Sequence, residues 1–167
     1  KALMWLVIIG GSIFLFFAAC SIYANLTTGV PWVKIRRENV KRIFEELNLP
    51  RGTLVYDLGA GDGRALLAAE RFGCRARGFE LSLYPRVKFY LKKNFSRSRA
   101  EMKRRDFFKE DLSAAEVIFI FLAGKTLERL GGKLKRELKP GALVISHGFA
   151  LPGWQTDRII STKPSLT

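Results

Sequence analysis

Apolar and polar positions are sharply segregated along the chain. Residues 2–24 carry no charge and are dominated by Leu, Ile, Phe and Ala. Residues 37–47 then repeat apolar positions at helical spacing, with Val40, Ile43, Phe44 and Leu47 on one face, which predicts an amphipathic helix. From residue 53 the pattern alternates. Strands are predicted at 53–58, 75–79, 102–105, 117–122 and 142–149, and helices at 64–72, 84–94 and 125–138, the last weakened by Gly131-Gly132. Pro50-Arg51-Gly52 and Pro140-Gly141 mark turns.

Strands alternating with helices predict an α/β fold, a Rossmann-like, mostly parallel sheet with helices on both faces. Continuously apolar strands such as 117–122 fit a sheet covered on both sides. The expected organisation is an anchor at 1–24, a connector and substrate entrance at 25–35, and one domain at 36–167. At most residues 158–161 remain for a further strand, so the C-terminal strands of the sheet are expected to be incomplete.

The segment 2–24 is expected to be a transmembrane helix. Its 23 residues would span roughly 34 Å, against roughly 30 Å of bilayer hydrocarbon. Lys34, Arg36, Arg37, Lys41 and Arg42 follow it. The expectation is therefore a single-pass membrane protein, in contact with the lipid bilayer through residues 2–24, with the domain facing the cytoplasm. The rival reading is an export signal, because Phe17-Ala18-Ala19-Cys20 has the small residues of a cleavage site.

Composition narrows the chemistry. The 167 residues include 29 Lys+Arg and 15 Asp+Glu, a net charge of +14, which suits an anionic lipid surface or a nucleic acid. Two cysteines and one histidine exclude a disulfide scaffold and argue against a metal cluster.

The segment Val55-Tyr56-Asp57-Leu58-Gly59-Ala60-Gly61-Asp62-Gly63-Arg64 concentrates the chemistry. It follows a predicted strand and opens a predicted helix, so its glycines let a ligand approach the backbone. Glu80 ends the next strand, where a carboxylate can accept the hydroxyls of a ribose. The third glycine comes one residue early for a dinucleotide fingerprint, and Asp57 and Asp62 would repel a pyrophosphate. They suit a cationic nucleoside ligand, S-adenosylmethionine, with Asp57 toward its ammonium. Asp106 and Phe107, after the third strand, suit an adenine amino group and ring. The expected cofactor-binding set is Asp57, Gly59, Ala60, Gly61, Asp62, Gly63, Glu80, Leu81, Asp106 and Phe107. Capping of the loop is the alternative for Asp57 and Asp62, and a turn the alternative for Asp106.

These residues resemble the class I S-adenosylmethionine-dependent methyltransferases, over about residues 30–157. More narrowly, the chain resembles the small membrane-anchored protein-lysine methyltransferases that act on the ATP synthase c-subunit and the adenine nucleotide translocase. Val30-Pro31-Trp32-Val33, Glu38-Asn39-Val40, Gly78-Phe79-Glu80-Leu81 and Phe149-Ala150-Leu151-Pro152-Gly153-Trp154 carry that likeness. Lys34-Ile35 departs from the family pattern. The resemblance implies methyl transfer to a lysine of a membrane-embedded or membrane-associated protein substrate. The acceptor lysine must be neutral, which an apolar channel favours. Trp32, Tyr84, Pro152 and Trp154 are candidates to line that channel, core packing being the alternative for each. No general base is evident, and His147 reads as a core residue in the fifth strand. Three other functions compete: nucleic-acid methylation, suggested by Arg97, Arg99, Lys103, Arg104 and Arg105 but not favoured; small-molecule methylation; and a non-catalytic, membrane-tethered cofactor-binding module.

Overall fold

The computed structural model describes residues 2–28 and 34–164, and in the first helix it describes side chains at 3–16 and 19. Helix α1 runs over Ala2–Thr28. The domain that follows has helices α2 (Arg37–Leu47), α3 (Arg64–Arg71), α4 (Leu83–Ser96) and α5 (Gly124–Glu137). Its strands are β1 (Leu54–Leu58), β2 (Arg75–Phe79), β3 (Glu101–Lys103), β4 (Val117–Ile120) and β5 (Leu143–Ser146).

All strand pairings are parallel, in the order β3-β2-β1-β4-β5. The order reverses between β1 and β4, so a crevice opens above the carboxyl ends of these two strands. β1 and β4 are the apolar centre of the sheet, with Leu58, Ile118 and Ile120 fully buried. One face packs Val40, Ile43 and Phe44 of α2, Leu66 of α3 and Phe89 of α4, and Phe44 stacks at 6.2 Å on Phe119. The other face buries Leu127, Leu130 and Leu134 of α5.

Several expectations shift at element ends. β4 stops at Ile120 and β5 at Ser146, which leaves His147 just after its strand, buried and edge-on to Phe121 at 4.8 Å. Gly131 does not break α5. It gives room to an indole: a Cβ there would lie 3.2 Å from Trp154 Nε1. Residues 158–161 form no strand. Residues 158–163 lie on α2 instead: Arg158 pairs with Glu46 at 3.2 Å, and the buried Asn39 amide donates to Lys163 O (2.6 Å) and accepts from Lys163 N (3.1 Å).

The transmembrane reading of residues 2–24 is corrected. Among the described residues no helix is long and apolar enough to cross a membrane. The single-pass, cytoplasm-facing placement and the bilayer contact through residues 2–24 rest on that reading and fall with it.

Candidate functional site: a glycine loop over the strand ends

β1 delivers Asp57 to the crevice, and the loop 59–63 turns back over β2. Gly59 N and Ala60 N donate to Phe79 O at 2.9 and 3.0 Å. Gly59 and Gly63 hold φ of +83° and +70°, a left-handed backbone that side chains other than glycine adopt at a cost. Gly63 also lies against the Phe89 ring, so loop and α4 meet without an intervening side chain.

Asp57, Gly59, Ala60, Gly61 and Asp62 line a cleft of about 40 Å³ with Ile35, Phe119 and Phe121. Asp57 is buried, yet its carboxyl accepts no hydrogen bond from any described residue. Burial pushes its pKa well up, and the nearby Glu80 and Asp62 push it further. A buried acid beside two others, facing a cleft sized for a small polar head, is a receptor for a cation. The ammonium of S-adenosylmethionine meets that requirement.

Glu80 is held toward the same loop. Its Oε2 accepts from Gly61 N (2.9 Å) and its Oε1 from Ser82 N (2.7 Å). Each oxygen keeps a further lone pair for a ribose hydroxyl. Asp106 stands beyond the neighbouring strand end, where Oδ1 caps a short 3-10 turn by accepting from Phe108 N (3.0 Å). Phe107 is half-buried against Phe108, with ring centroids 4.7 Å apart. Leu81 is exposed.

Asp62 has a different partner set. Its buried carboxylate accepts from Arg64 Nε and Nη2 at 2.8 and 2.7 Å and from Lys92 Nζ at 2.6 Å. Burial opposes its ionisation, but the hydrogen bonds from Arg64 and Lys92 outweigh that and hold its pKa well below the usual carboxylate range. Arg64 Nη1 also donates to Ile35 O. One guanidinium thus ties the segment before α2 to the cofactor loop, and Lys92 ties α4 to it. Sequence reading missed these two cations and Ile35, Phe119 and Phe121; the Arg directly after the glycine loop was the available signal.

Loss of this network has an expected size. Asp62→Ala leaves two cations without their anion and should lower stability by about 2 kcal/mol, moderated because both cations keep some contact with water. The Asp62 contribution is fully present above its unfolded pKa and is lost as pH falls through the depressed folded value. The gap between wild type and variant in urea midpoint should therefore persist at pH 5–8 and close only under strongly acid conditions.

Three of the four candidate channel residues, Tyr84, Pro152 and Trp154, fall among the described residues. Trp154 packs on α5 beside Gly131, with its Nε1 buried and unpartnered among the described residues. Pro152 is exposed. Tyr84, in the first turn of α4, has its hydroxyl pKa lowered chiefly by a hydrogen bond with Lys88, and also by Lys34 at the cleft. Trp32 lies outside the described residues.

A parallel sheet of this order, with a glycine loop after β1, a carboxylate closing β2 and a buried unpartnered acid at the switch point, defines a Rossmann-like S-adenosylmethionine-dependent methyltransferase. Residues 57–158 match the family described as the ANTKMT methyltransferase domain, and the chain belongs to that family. It is 37% identical to a protein-lysine N-methyltransferase of Saccharolobus islandicus, over 80% of this chain and 86% of that protein. It is 34% identical to the mouse adenine nucleotide translocase lysine N-methyltransferase, over 78% of this chain but 58% of that protein. Among solved structures it is similar to an RNA methyltransferase from Salinibacter ruber in complex with S-adenosyl-L-homocysteine. There the TM-score is 0.73 and the identity 29%, over 78% of this chain and 87% of that one.

Proposed function

We propose that this chain methylates the side-chain amine of a lysine in a protein, and that the acceptor is membrane-associated. The supporting observation is kinship with a protein-lysine N-methyltransferase across most of both chains. The finer choice of acceptor rests on the resemblance to enzymes named for the adenine nucleotide translocase and the ATP synthase c-subunit.

S-adenosylmethionine, when bound, supplies a methyl group on a sulfonium, open to displacement by an amine lone pair. Asp57 would hold the ammonium end. Glu80 would take the ribose hydroxyls, and Asp106 with Phe107 the adenine. Of the residues around Asp57, Ile35, Phe119 and Phe121 form apolar walls beside the cations Lys34 and Arg64. Apolar walls disfavour a charged amine, so an acceptor lysine entering beside them loses its proton more readily than in water, where its pKa is near 10.4. Holding amine and methyl in line does the rest, an effect worth up to roughly 7–11 kcal/mol.

The test is transfer of labelled methyl from S-adenosylmethionine to membrane and soluble fractions, with Asp57→Ala as control. Label recovered as methyl-lysine in a membrane-fraction protein, absent with the control, is the expected result. Methyl-lysine confined to soluble proteins would remove the membrane-associated acceptor. The likeness to the Salinibacter ruber enzyme favours RNA as the second acceptor class, and label in ribonuclease-sensitive material would select it.

A further inference from the structure

A second cavity among the described residues is larger than the cofactor cleft. It is a groove of about 1200 Å³ between α2, α3 and α4. Its floor is apolar, formed by Val40, Leu67 and Phe72 with Leu91 and Phe95 of α4. Phe95 is 91% exposed and Leu91 56%, a strong departure for large apolar side chains on a charged helix. Its rim is cationic. Seven Lys or Arg side chains and two carboxylates line it among the described residues. Both carboxylates are already engaged, Asp62 by Arg64 and Lys92 and Glu38 by Lys163. Arg37 and Arg71 have no ion pair with any described residue. The groove therefore presents uncompensated positive charge above an apolar floor. It also meets the cofactor cleft, because Lys34, Asp62 and Arg64 line both.

We propose that this groove docks an acidic, amphipathic segment of the protein acceptor, whose apolar face lies on Leu91 and Phe95 while its carboxylates meet Arg37 and Arg71. The inference rests on the protein-lysine reading above and adds where the acceptor is held. Charge complementarity selects an anionic partner, and the apolar floor selects a peptide face over a bare phosphate backbone. A segment seated in the groove passes the shared wall at Arg64 and brings a neighbouring lysine to the cleft. Binding energy remote from the reacting amine would then position it. This separates two requirements that conflict at one place: a cationic rim repels lysine, but recruits the acidic segment that carries the lysine past it.

The probe is a fluorescent peptide of about 16 residues, with Leu at helical spacing and Glu on the other face. Its counterpart carries Lys for Glu, and single-stranded RNA of similar charge serves as the other arm. Binding to the full chain is measured by anisotropy, with affinity for S-adenosyl-L-homocysteine measured in parallel. The Leu/Glu peptide should bind, the Leu/Lys peptide should not, and Arg37→Glu with Arg71→Glu should weaken binding about tenfold or more. Phe95→Ser should weaken it independently. Both variants should keep wild-type affinity for S-adenosyl-L-homocysteine, and wild-type transfer to a lysine peptide too short to reach the groove. Equal binding by wild type and the charge-reversed protein overturns the proposal. So does RNA binding that the reversal abolishes while the peptide fails to bind. Loss of S-adenosyl-L-homocysteine binding in the wild type would instead sink the underlying methyltransferase reading.

Discussion

Asp57→Asn should weaken binding of S-adenosylmethionine by about 100-fold or more, while leaving the unliganded protein at least as stable as wild type. The two effects have opposite signs because the side chain is buried without a hydrogen-bond donor among the described residues. An isosteric amide removes the charge that burial, Glu80 and Asp62 all disfavour, so the empty site relaxes. The same change removes the anion that faces the ligand ammonium, and truncating one partner of a buried charge pair costs about 2–5 kcal/mol. Calorimetry with S-adenosyl-L-homocysteine and urea unfolding of the same preparations would show the divergence. Equal losses of affinity and stability would mean that Asp57 serves the fold rather than the cofactor.

The raised pKa of Asp57 gives this prediction a pH signature. Its folded pKa lies above its unfolded value, so between the two the folded state binds more protons and stability falls as pH rises. Below the unfolded value the penalty is absent. Ligand ammonium draws the pKa back down, so binding in that window should release a proton from Asp57. Binding enthalpies taken in buffers of different ionisation enthalpy would report it, and the release should vanish in Asp57→Asn.

The sheet was legible because its centre is written in runs without polar interruption. Val117 to Ile120 is buried throughout and β1 nearly so, and both were expected within two residues of their observed ends. The edges were harder. β3 has three residues and one buried side chain, Met102, so period alone poorly locates it. In the site, the loop and Glu80 could be read because glycine spacing and strand order constrain them. The fate of Asp62 could not. Whether a carboxylate faces a ligand or a neighbouring cation depends on Lys92, thirty positions away on α4. The packing of Trp154 on α5 at Gly131 is likewise set by the fold, across more than twenty positions of sequence.

Gly63→Ala should be the most damaging single methyl group in the molecule. At φ +70° an alanine carries a left-handed penalty of about 1–2 kcal/mol. Its Cβ would also fall 2.1 Å from Phe89 Cδ2, a ring that is fully buried and has nowhere to turn. Overpacking of that kind costs about 1–3 kcal/mol, so a combined loss of about 3 kcal/mol is expected in the urea midpoint. The strain is directed. Phe89 sits one turn before Lys92 on α4, and Lys92 holds Asp62, which shares the loop with Gly61 and its contact to Glu80. Relief of the clash by moving α4 would therefore loosen the cofactor loop, and affinity for S-adenosyl-L-homocysteine should fall together with stability. Phe89→Leu separates the two contributions. In the double variant the clash is relieved but the left-handed backbone remains, so the combined cost should be smaller than the sum of the single costs by about 1–2 kcal/mol. Strict additivity would mean that the backbone conformation alone demands glycine, and that Phe89 is a bystander to the turn that opens α3.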